Sequence, residues 1–301
     1  MSCTLALCYH RVLPTPPSPD AGSVDAFHVQ RNILLGLDDF VAQLDALLER
    51  FEVLDAATFA RRLDEGQKGA RPSVLLTFDD GYADFAEFIV PALEARGLPC
   101  VLFATMAPIQ SGFVTPSDRV YAALTHDARS ANPVLDDTQR ASWVNGDRKR
   151  ELLKSGPGEQ SRIIAKLEAE VGVAEPPMVP KHMSEEQLRR LPDSVVIGAH
   201  GMFHHEFASL PKQRLQDELK ATLHWLRGLR PRQSLGNWLA YPNGKSDRGG
   251  GNLVRNAVTA AGVDLAFLAD AKALRSTGSD RLSIPRRFVS SGLEWIDSLG
   301  A

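Results

Sequence analysis

Residues 74–81 of this 301-residue chain are VLLTFDDG, an apolar run that ends in two adjacent carboxylates and a glycine. The run follows Pro72 and is typical of a buried β-strand. Adjacent strand residues point to opposite faces, so placing both Asp79 and Asp80 in a core would be costly. At a strand end that opens onto a pocket, one carboxylate can bind a metal while the other accepts a proton. Asp-Gly is also a common turn dipeptide, so the stretch taken alone favours a plain turn.

Strands and helices alternate over most of the chain, which predicts an α/β fold with a mainly parallel sheet, open or closed into a barrel. We predict strands at 5–8, 53–54, 74–78, 100–104, 195–199, 239–241, 265–268 and 282–285. Helices are predicted at 38–51, 57–64, 83–96 with a kink at Pro91, 184–191, 212–229 and 252–261. Sites in such folds gather at the carboxyl ends of strands. Six polar residues fall at or just after predicted strand ends: His10, Asp79, Asp80, His200, Tyr241 and Arg286.

The alternation weakens between about residues 105 and 180, where the chain is more polar and the clearest helical pattern is 161–171. We interpret this segment as an insertion at one end of the sheet, within a single domain that covers residues 1–301. Either a solvated excursion or a lid that recognises substrate fits its composition.

Composition limits the function classes. The net charge is −3 with both signs interspersed, which indicates neither a nucleic-acid partner nor an anionic membrane surface. No run of about 20 apolar residues is present, so no membrane span is expected. The first ten residues lack a basic n-region and an unbroken apolar stretch, so we expect a cytoplasmic protein without a signal peptide. Cys3, Cys8 and Cys100 lack metal-ligand spacing and fit small buried residues.

A second motif, GAHGMFHH at residues 198–205, follows another apolar run. Two imidazoles four residues apart on a helical turn face the same way and can bind one metal. Such a pair is weak evidence alone. Joined to a carboxylate of the first motif, His200 and His204 complete a set of two histidines and one carboxylate that leaves room for water.

The two motifs together resemble the polysaccharide deacetylase family, also called NodB-like or carbohydrate esterase family 4. Further segments also resemble this family in their order and spacing. These segments are residues 9–12 (YHRV), the helix around Phe40 and Leu44, residues 93–99, residues 240–244 (AYPNG) and residues 284–286 (IPR). The segment 105–180 has no clear counterpart.

The resemblance implies a distorted (β/α) barrel and metal-dependent removal of an N-acetyl group from an amino sugar. Matched by position, Asp80, His200 and His204 would hold the metal, usually zinc, and Asp79 would be the general base. A backbone N–H between Tyr241 and Asn243 would assist the oxyanion.

The leaving amine also needs a proton. A subgroup with a Tyr-His start supplies a histidine from its first strand, which matches His10. We expect His10 to have a near-neutral pKa and to lie across the metal from Asp79. A hydrogen-bonded structural histidine is the alternative.

The sequence departs from the family pattern at three places. Gly201 follows His200 where Ser or Thr is more common, and His205 follows His204 where proline is usual, which leaves His205 as an alternative ligand. The 241–244 loop lacks the arginine of many members. Arg286, or Arg287 in its place, is then expected to pair with Asp79, the alternative being a surface salt bridge.

Three functions fit these residues. The first is N-deacetylation of an amino sugar in a glycan, a nucleotide sugar or a lipid-linked sugar. The second is a deformylase or another amidohydrolase on a sugar intermediate. The third is a catalytically silent carbohydrate-binding relative, which the intact set of two acids and two histidines disfavours.

Overall fold

The computed structural model of the chain describes residues 4–64, 71–174, 178–229, 237–246, 252–269 and 280–300. Its strands are β1 (Thr4–Tyr9), β2 (Arg11–Leu13), β3 (Leu34–Gly36), β4 (Glu52–Val53), β5 (Ser73–Asp80), β6 (Cys100–Ala104), β7 (Val195–Ala199), β8 (Asn237–Ala240), β9 (Val263–Phe267) and β10 (Arg286–Phe288). The main sheet is parallel in the order β10-β1-β5-β6-β7-β8-β9, with β4 added beside β5. Strands β2 and β3 form a separate parallel pair.

The sheet curves into a nearly closed barrel, because its last strand returns towards its first. The Leu268 N–H donates to Ile284 O at 2.8 Å, and the Ile284 N–H donates to Ala266 O at 2.9 Å. Ile284 lies two residues before β10, which pairs with β1. The predicted strand at 282–285 is therefore a single bridge at Ile284, and Arg286 begins the strand that follows. The predicted α/β barrel is confirmed.

Helices connect the strands on the outside of the barrel. They are α1 (Val24–Gln30), α2 (Leu37–Arg50), α3 (Ala56–Asp64), α4 (Val90–Glu94), α5 (Met106–Ser111), α6 (Pro116–Arg129), α7 (Asp137–Val144), α8 (Asp147–Lys154), α9 (Pro157–Glu170), α10 (Glu185–Arg190), α11 (Lys212–Leu229), α12 (Leu253–Ala260) and α13 (Glu294–Asp297). Among the described residues, no helix combines the length and the apolar character needed to cross a bilayer.

The core lies between the barrel and these helices. All eight residues of β5 are buried, as expected for a parallel strand covered on both faces. Helix α2 buries Phe40, Leu44 and Leu47, which recur at the helical period. Cys8 and Cys100 are buried as predicted, and Cys3 lies outside the described residues.

The helix predicted at 83–96 ends earlier than predicted, and its irregular part is a π-helical turn. A π-helical turn spans Phe85–Ile89, and Pro91 opens α4 directly after it. Proline lacks an N–H and is tolerated in the first turn of a helix, where that N–H would have no partner. Gly97, at φ +62°, ends the helix as predicted.

The segment 105–180 is not a solvated excursion. Helices α5 to α9 occupy most of it, and the predicted helix at 161–171 corresponds to α9. Helices α6 to α9 bury an apolar cluster of their own, to which α1 contributes. Its members include Phe27, Tyr121, Leu124, Trp143, Leu152, Ile164 and Leu167. Polar residues on the outer faces of these short helices hid this core in the sequence.

Candidate active site

Asp79 and Asp80 end β5 at the carboxyl edge of the barrel, paired with Phe103 and Ala104 of β6. Asp80 has φ +74° and Gly81 has φ +87°, and the Gly81 N–H donates back to Asp79 O at 3.0 Å. This tight left-handed turn breaks the strand alternation, so both carboxylates line the same cavity. A Cβ on Gly81 would lie 3.1 Å from Ile109 Cδ1, so both the backbone angle and the space favour glycine.

Asp79 forms a two-point ion pair with Arg286, which is fully buried at 0 % exposure. Arg286 Nη1 donates to Asp79 Oδ1 at 2.6 Å and Nη2 donates to Oδ2 at 2.7 Å. Burial alone would raise the pKa of Asp79, but the guanidinium reverses this and holds it well below its usual range. Asp79 is therefore ionised at neutral pH. Arg286 makes this pair, and Arg287 does not.

Three potential metal ligands meet beside this pair. Atoms of Asp80, His200 and His204 that can bind a metal all lie within 4.8 Å of one another. Asp80 Oδ1 is 3.5 Å from His200 Nε2 and 3.2 Å from His204 Nε2. Burial and the nearby charges of Asp79 and Asp118 raise the pKa of Asp80 well above its usual value. A cation held by this carboxylate would reverse that penalty.

The histidine tautomer suits a metal. His200 follows β7, and its Nδ1–H donates to Ala240 O at 2.9 Å, which leaves the lone pair of Nε2 facing Asp80. Burial lowers the pKa of His200. Burial also lowers the pKa of His204. Both rings are therefore neutral, the form that binds metals. The donor set fits a divalent ion such as zinc.

The histidine motif is a loop and not the helical turn that we predicted. Gly201 has φ +78° and His204 has φ +60°, angles that no helix contains. The Met106 and Ala107 N–H groups of α5 donate to Gly201 O and Met202 O and hold this loop against the insertion. The left-handed angle explains why glycine replaces Ser or Thr at 201.

His205 does not join the cluster. It lines a neighbouring cavity with Phe203, and its Nδ1 lies 3.7 Å from Glu218 Oε1. Of the two candidate ligands, His204 is the one that faces Asp80.

His10 lies directly after β1, with its ring centroid 5.1 Å from that of Phe288. A ring nitrogen of His10 lies within 4.8 Å of a carboxylate oxygen of Asp79 and of the sulfur of Cys8. His10 therefore lies beside Asp79 and not across the site as predicted. Burial lowers the pKa of His10 to about 3, and the expectation of a near-neutral value is wrong for this site. Its buried Nδ1 has no hydrogen-bond partner among the described residues.

The 241–244 loop offers fewer backbone donors than expected. The Tyr241 N–H donates to Phe267 O at 3.0 Å, and Pro242 has no N–H. Asn243, at φ +56°, lines the cavity, and its buried side-chain Nδ2 has no partner among the described residues. Asn243 is therefore the residue of this loop that can donate to a substrate oxygen.

A buried polar network on the opposite wall was not predicted from the sequence. Arg11 Nη1 donates to His28 Nδ1 at 2.9 Å, which leaves His28 Nε2–H to donate to Asp118 Oδ1 at 3.0 Å. Tyr82 OH donates to Asp118 Oδ2 at 2.9 Å. Asp118 comes from α6 of the insertion. The Thr115-Pro116 helix start was the one sequence signal that could have revealed α6.

One cavity of about 320 Å³ is lined by His10, Asp79, Asp80, His200 and His204 and, from this network, by His28, Tyr82 and Asp118. The insertion supplies a large part of its wall. Its residues there are Thr115, Ser117, Asp118, Tyr121, Asn145, Lys149, Arg150 and Leu153. The segment 105–180 therefore forms part of the cavity wall, and its contact with substrate stays a prediction.

Residues 66–266 match the family model described as polysaccharide deacetylase. The chain belongs to the polysaccharide deacetylase family. Membership identifies an enzyme of the sugar N-deacetylase class, and the interpretation as a silent carbohydrate-binding protein is set aside. A search of curated proteins returned no match.

Three solved structures share the fold of this family member, each with a TM-score of 0.59. The Streptococcus pyogenes deacetylase PplD in complex with acetate is 14% identical and covers 96% of this chain and 92% of its own. IcaB from Ammonifex degensii is 17% identical, and the match covers 100% of this chain and 97% of IcaB. A de-N-acetylase from Aggregatibacter actinomycetemcomitans is 14% identical and covers 98% and 99%.

Proposed function

We propose that this enzyme is a metal-dependent hydrolase that removes the N-acetyl group from an amino sugar in a glycan or glycan precursor. One observation carries the proposal. The two-point pair of Asp79 with Arg286 lies directly beside the Asp80, His200 and His204 cluster in a single cavity. An ionised base next to a metal-ligand set is what hydrolysis of an unreactive amide requires.

Asp80, His200 and His204 would hold one divalent ion, and a set of two imidazoles and one carboxylate suits zinc. When bound, such an ion polarises the substrate carbonyl and makes a water molecule more acidic.

Asp79 accepts the proton of the attacking water. Its two oxygens are each held by Arg286, so the carboxylate is fixed in orientation as well as ionised. Cys8 Sγ adds a weak hydrogen bond to Oδ2 at 3.5 Å. Asn243 is placed to donate its free side-chain N–H to the oxygen that becomes negative as water adds to the carbonyl carbon.

Breaking the C–N bond transfers an electron pair to the sugar nitrogen, which needs a proton to leave as an amine. We assign this delivery to His10. The ring is neutral at rest, so it must gain a proton before it can give one, and Asp79 within 4.8 Å is a group that has just received one. The products are acetate and the free amino sugar.

Release of acetate from a short N-acetylglucosamine oligomer by the purified protein tests the proposal. Asp79→Asn should lower the rate about 10²-fold or more, the scale of a lost general base. Asp217→Asn, on the exposed face of α11, is the matched control and should leave the rate unchanged. An N-formylated oligomer that is hydrolysed while the N-acetylated one is not would favour the deformylase alternative instead.

A further inference from the structure

Lys149 of α8 is an unusual residue in the cavity wall. Its side chain is buried, with 5 % exposure. Its ammonium donates to Ser117 Oγ at 2.7 Å and to Tyr121 OH at 3.1 Å, and it lies 4.8 Å from the centroid of the Tyr121 ring. All three side chains line the cavity that contains Asp79 and Asp80.

This ammonium group has no counter-ion within the part of the chain that the structure describes. Both of its hydrogen-bond partners are neutral hydroxyls. A buried cation is costly unless a negative charge or several strong acceptors compensate it, and the aromatic face offsets only part of that cost. An ammonium has three N–H donors, so one remains for a ligand.

A second cation lines the same cavity. Arg31, just after α1, donates through Nη1 to the neutral Asn145 amide oxygen at 2.5 Å. Four acids line the same cavity. Asp79 pairs with Arg286, Asp118 accepts from His28 and Tyr82, Asp80 faces His200 and His204, and Glu206 also has an interaction of its own. The wall formed by Lys149 and Arg31 therefore presents positive charge that the described residues do not neutralise.

We infer that the substrate carries an anionic group, a phosphate or a carboxylate, which Lys149 and Arg31 bind. This inference rests on the proposed function, because it places the acetamido group of the same molecule at Asp79 and Asp80. The cavity of about 320 Å³ has room for one sugar with its substituent.

Equilibrium binding of three matched sugars without an acetamido group tests the inference separately from the reaction. Glucose 1-phosphate, glucuronate and methyl glucoside are titrated by calorimetry into the metal-loaded protein. We expect at least one of the two anionic sugars to bind about tenfold or more tighter than methyl glucoside, the scale of one charge-assisted hydrogen bond. Which one binds distinguishes phosphate from carboxylate.

Lys149→Met should reduce the affinity for the anionic sugar to that for methyl glucoside. Lys166→Met, on the exposed side of α9, is the matched control and should retain the preference. Arg31→Gln, at a half-buried position, should weaken the preference and provides an independent test if Lys149→Met does not fold. Equal affinity for all three sugars would overturn the inference. An anion preference that survives in Lys149→Met would also overturn it, because the anion would then bind elsewhere, for example on the metal.

Absence of acetate release with intact anion binding would refute the proposed function alone. Acetate release without any anion preference would refute the inference about the substrate and leave the proposed function standing.

Discussion

Replacing Arg286 by methionine removes the cation that balances a buried carboxylate. Arg286 is fully buried, and Asp79 is 4 % exposed. The guanidinium also donates to Thr77 Oγ1 at 3.0 Å and to Leu268 O at 3.2 Å, so the change leaves several acceptors without a donor. Breaking a buried ion pair by removing one partner costs about 3–5 kcal/mol. The expected fall in Tm is roughly 6–20 °C for a chain of this size.

The loss should depend on pH with a defined sign. In the wild type the folded pKa of Asp79 lies below that of the unfolded chain, about 4. The pair therefore stabilises the fold above about pH 4 and loses this contribution as pH falls towards the folded pKa. In Arg286→Met, burial raises the folded pKa above the unfolded one, so the variant loses stability as pH rises through about 4. The gap between the two proteins should widen from about pH 4.5 to about pH 7.

Urea unfolding in the presence of a chelator, followed by tryptophan fluorescence, measures this gap without a contribution from bound metal. Arg281→Met is the matched control, because Arg281 pairs with Asp64 at the surface with 43% and 62% exposed side chains and should change stability by at most about 1 kcal/mol. In a double-mutant cycle, Asp79→Asn should cancel part of the cost of Arg286→Met. Additive losses, or a gap that does not change with pH, would refute this description of the pair.

Three further predictions address the site. Asp79→Asn should keep the metal and lose acetate release, while Asp80→Asn should lose both, and the reverse result would exchange the base and the ligand. His10→Ala should keep the metal and lose about 10²-fold in turnover on an amide, with a smaller loss on an activated ester, and equal losses would indicate a structural role. Gly201→Ala should cost about 1–3 kcal/mol and weaken metal binding, because its Cβ would lie 3.1 Å from Phe207 Cε1 at a left-handed φ. Gly112 has a similar φ, but a Cβ added there would have no described atom within 4 Å. The smaller loss of stability expected for Gly112→Ala in the same denaturation assay therefore isolates the steric part of the Gly201→Ala effect.

The barrel was predictable because its strands are short apolar runs with clear ends. The strands at 100–104 and 195–199 have the predicted bounds, since each lies between polar or breaker residues. The apolar pattern of the insertion is diluted over several short helices, and no single window shows it. Burial of Leu152 and Ile164 arises only when those helices pack together.

The proposed metal ligands and the Asp79–Arg286 pair were predicted to meet, but other residues of the candidate site and part of its geometry were not. The motif spacing predicted that Asp80, His200 and His204 meet. The left-handed angle at Asp80 has no local sequence signal beyond its neighbour Gly81, and the left-handed angle at His204 has none. The low pKa of His10 depends on burial by distant segments and on the charge of Arg286. The Arg11, His28 and Asp118 network joins residues up to 90 positions apart, which no local pattern reveals.

Zinc titration of the chelated enzyme, with the rate of acetate release from an N-acetylated oligomer as the readout, tests the metal-dependent reaction most directly. We expect no activity without metal and recovery that saturates at about one ion per chain. His200→Ala should fail to recover at the same zinc concentrations, while His205→Ala, whose ring faces the neighbouring cavity, should recover like the wild type. Full activity in the chelated enzyme, or normal recovery of His200→Ala, would contradict the assignment of Asp80, His200 and His204 as the metal site.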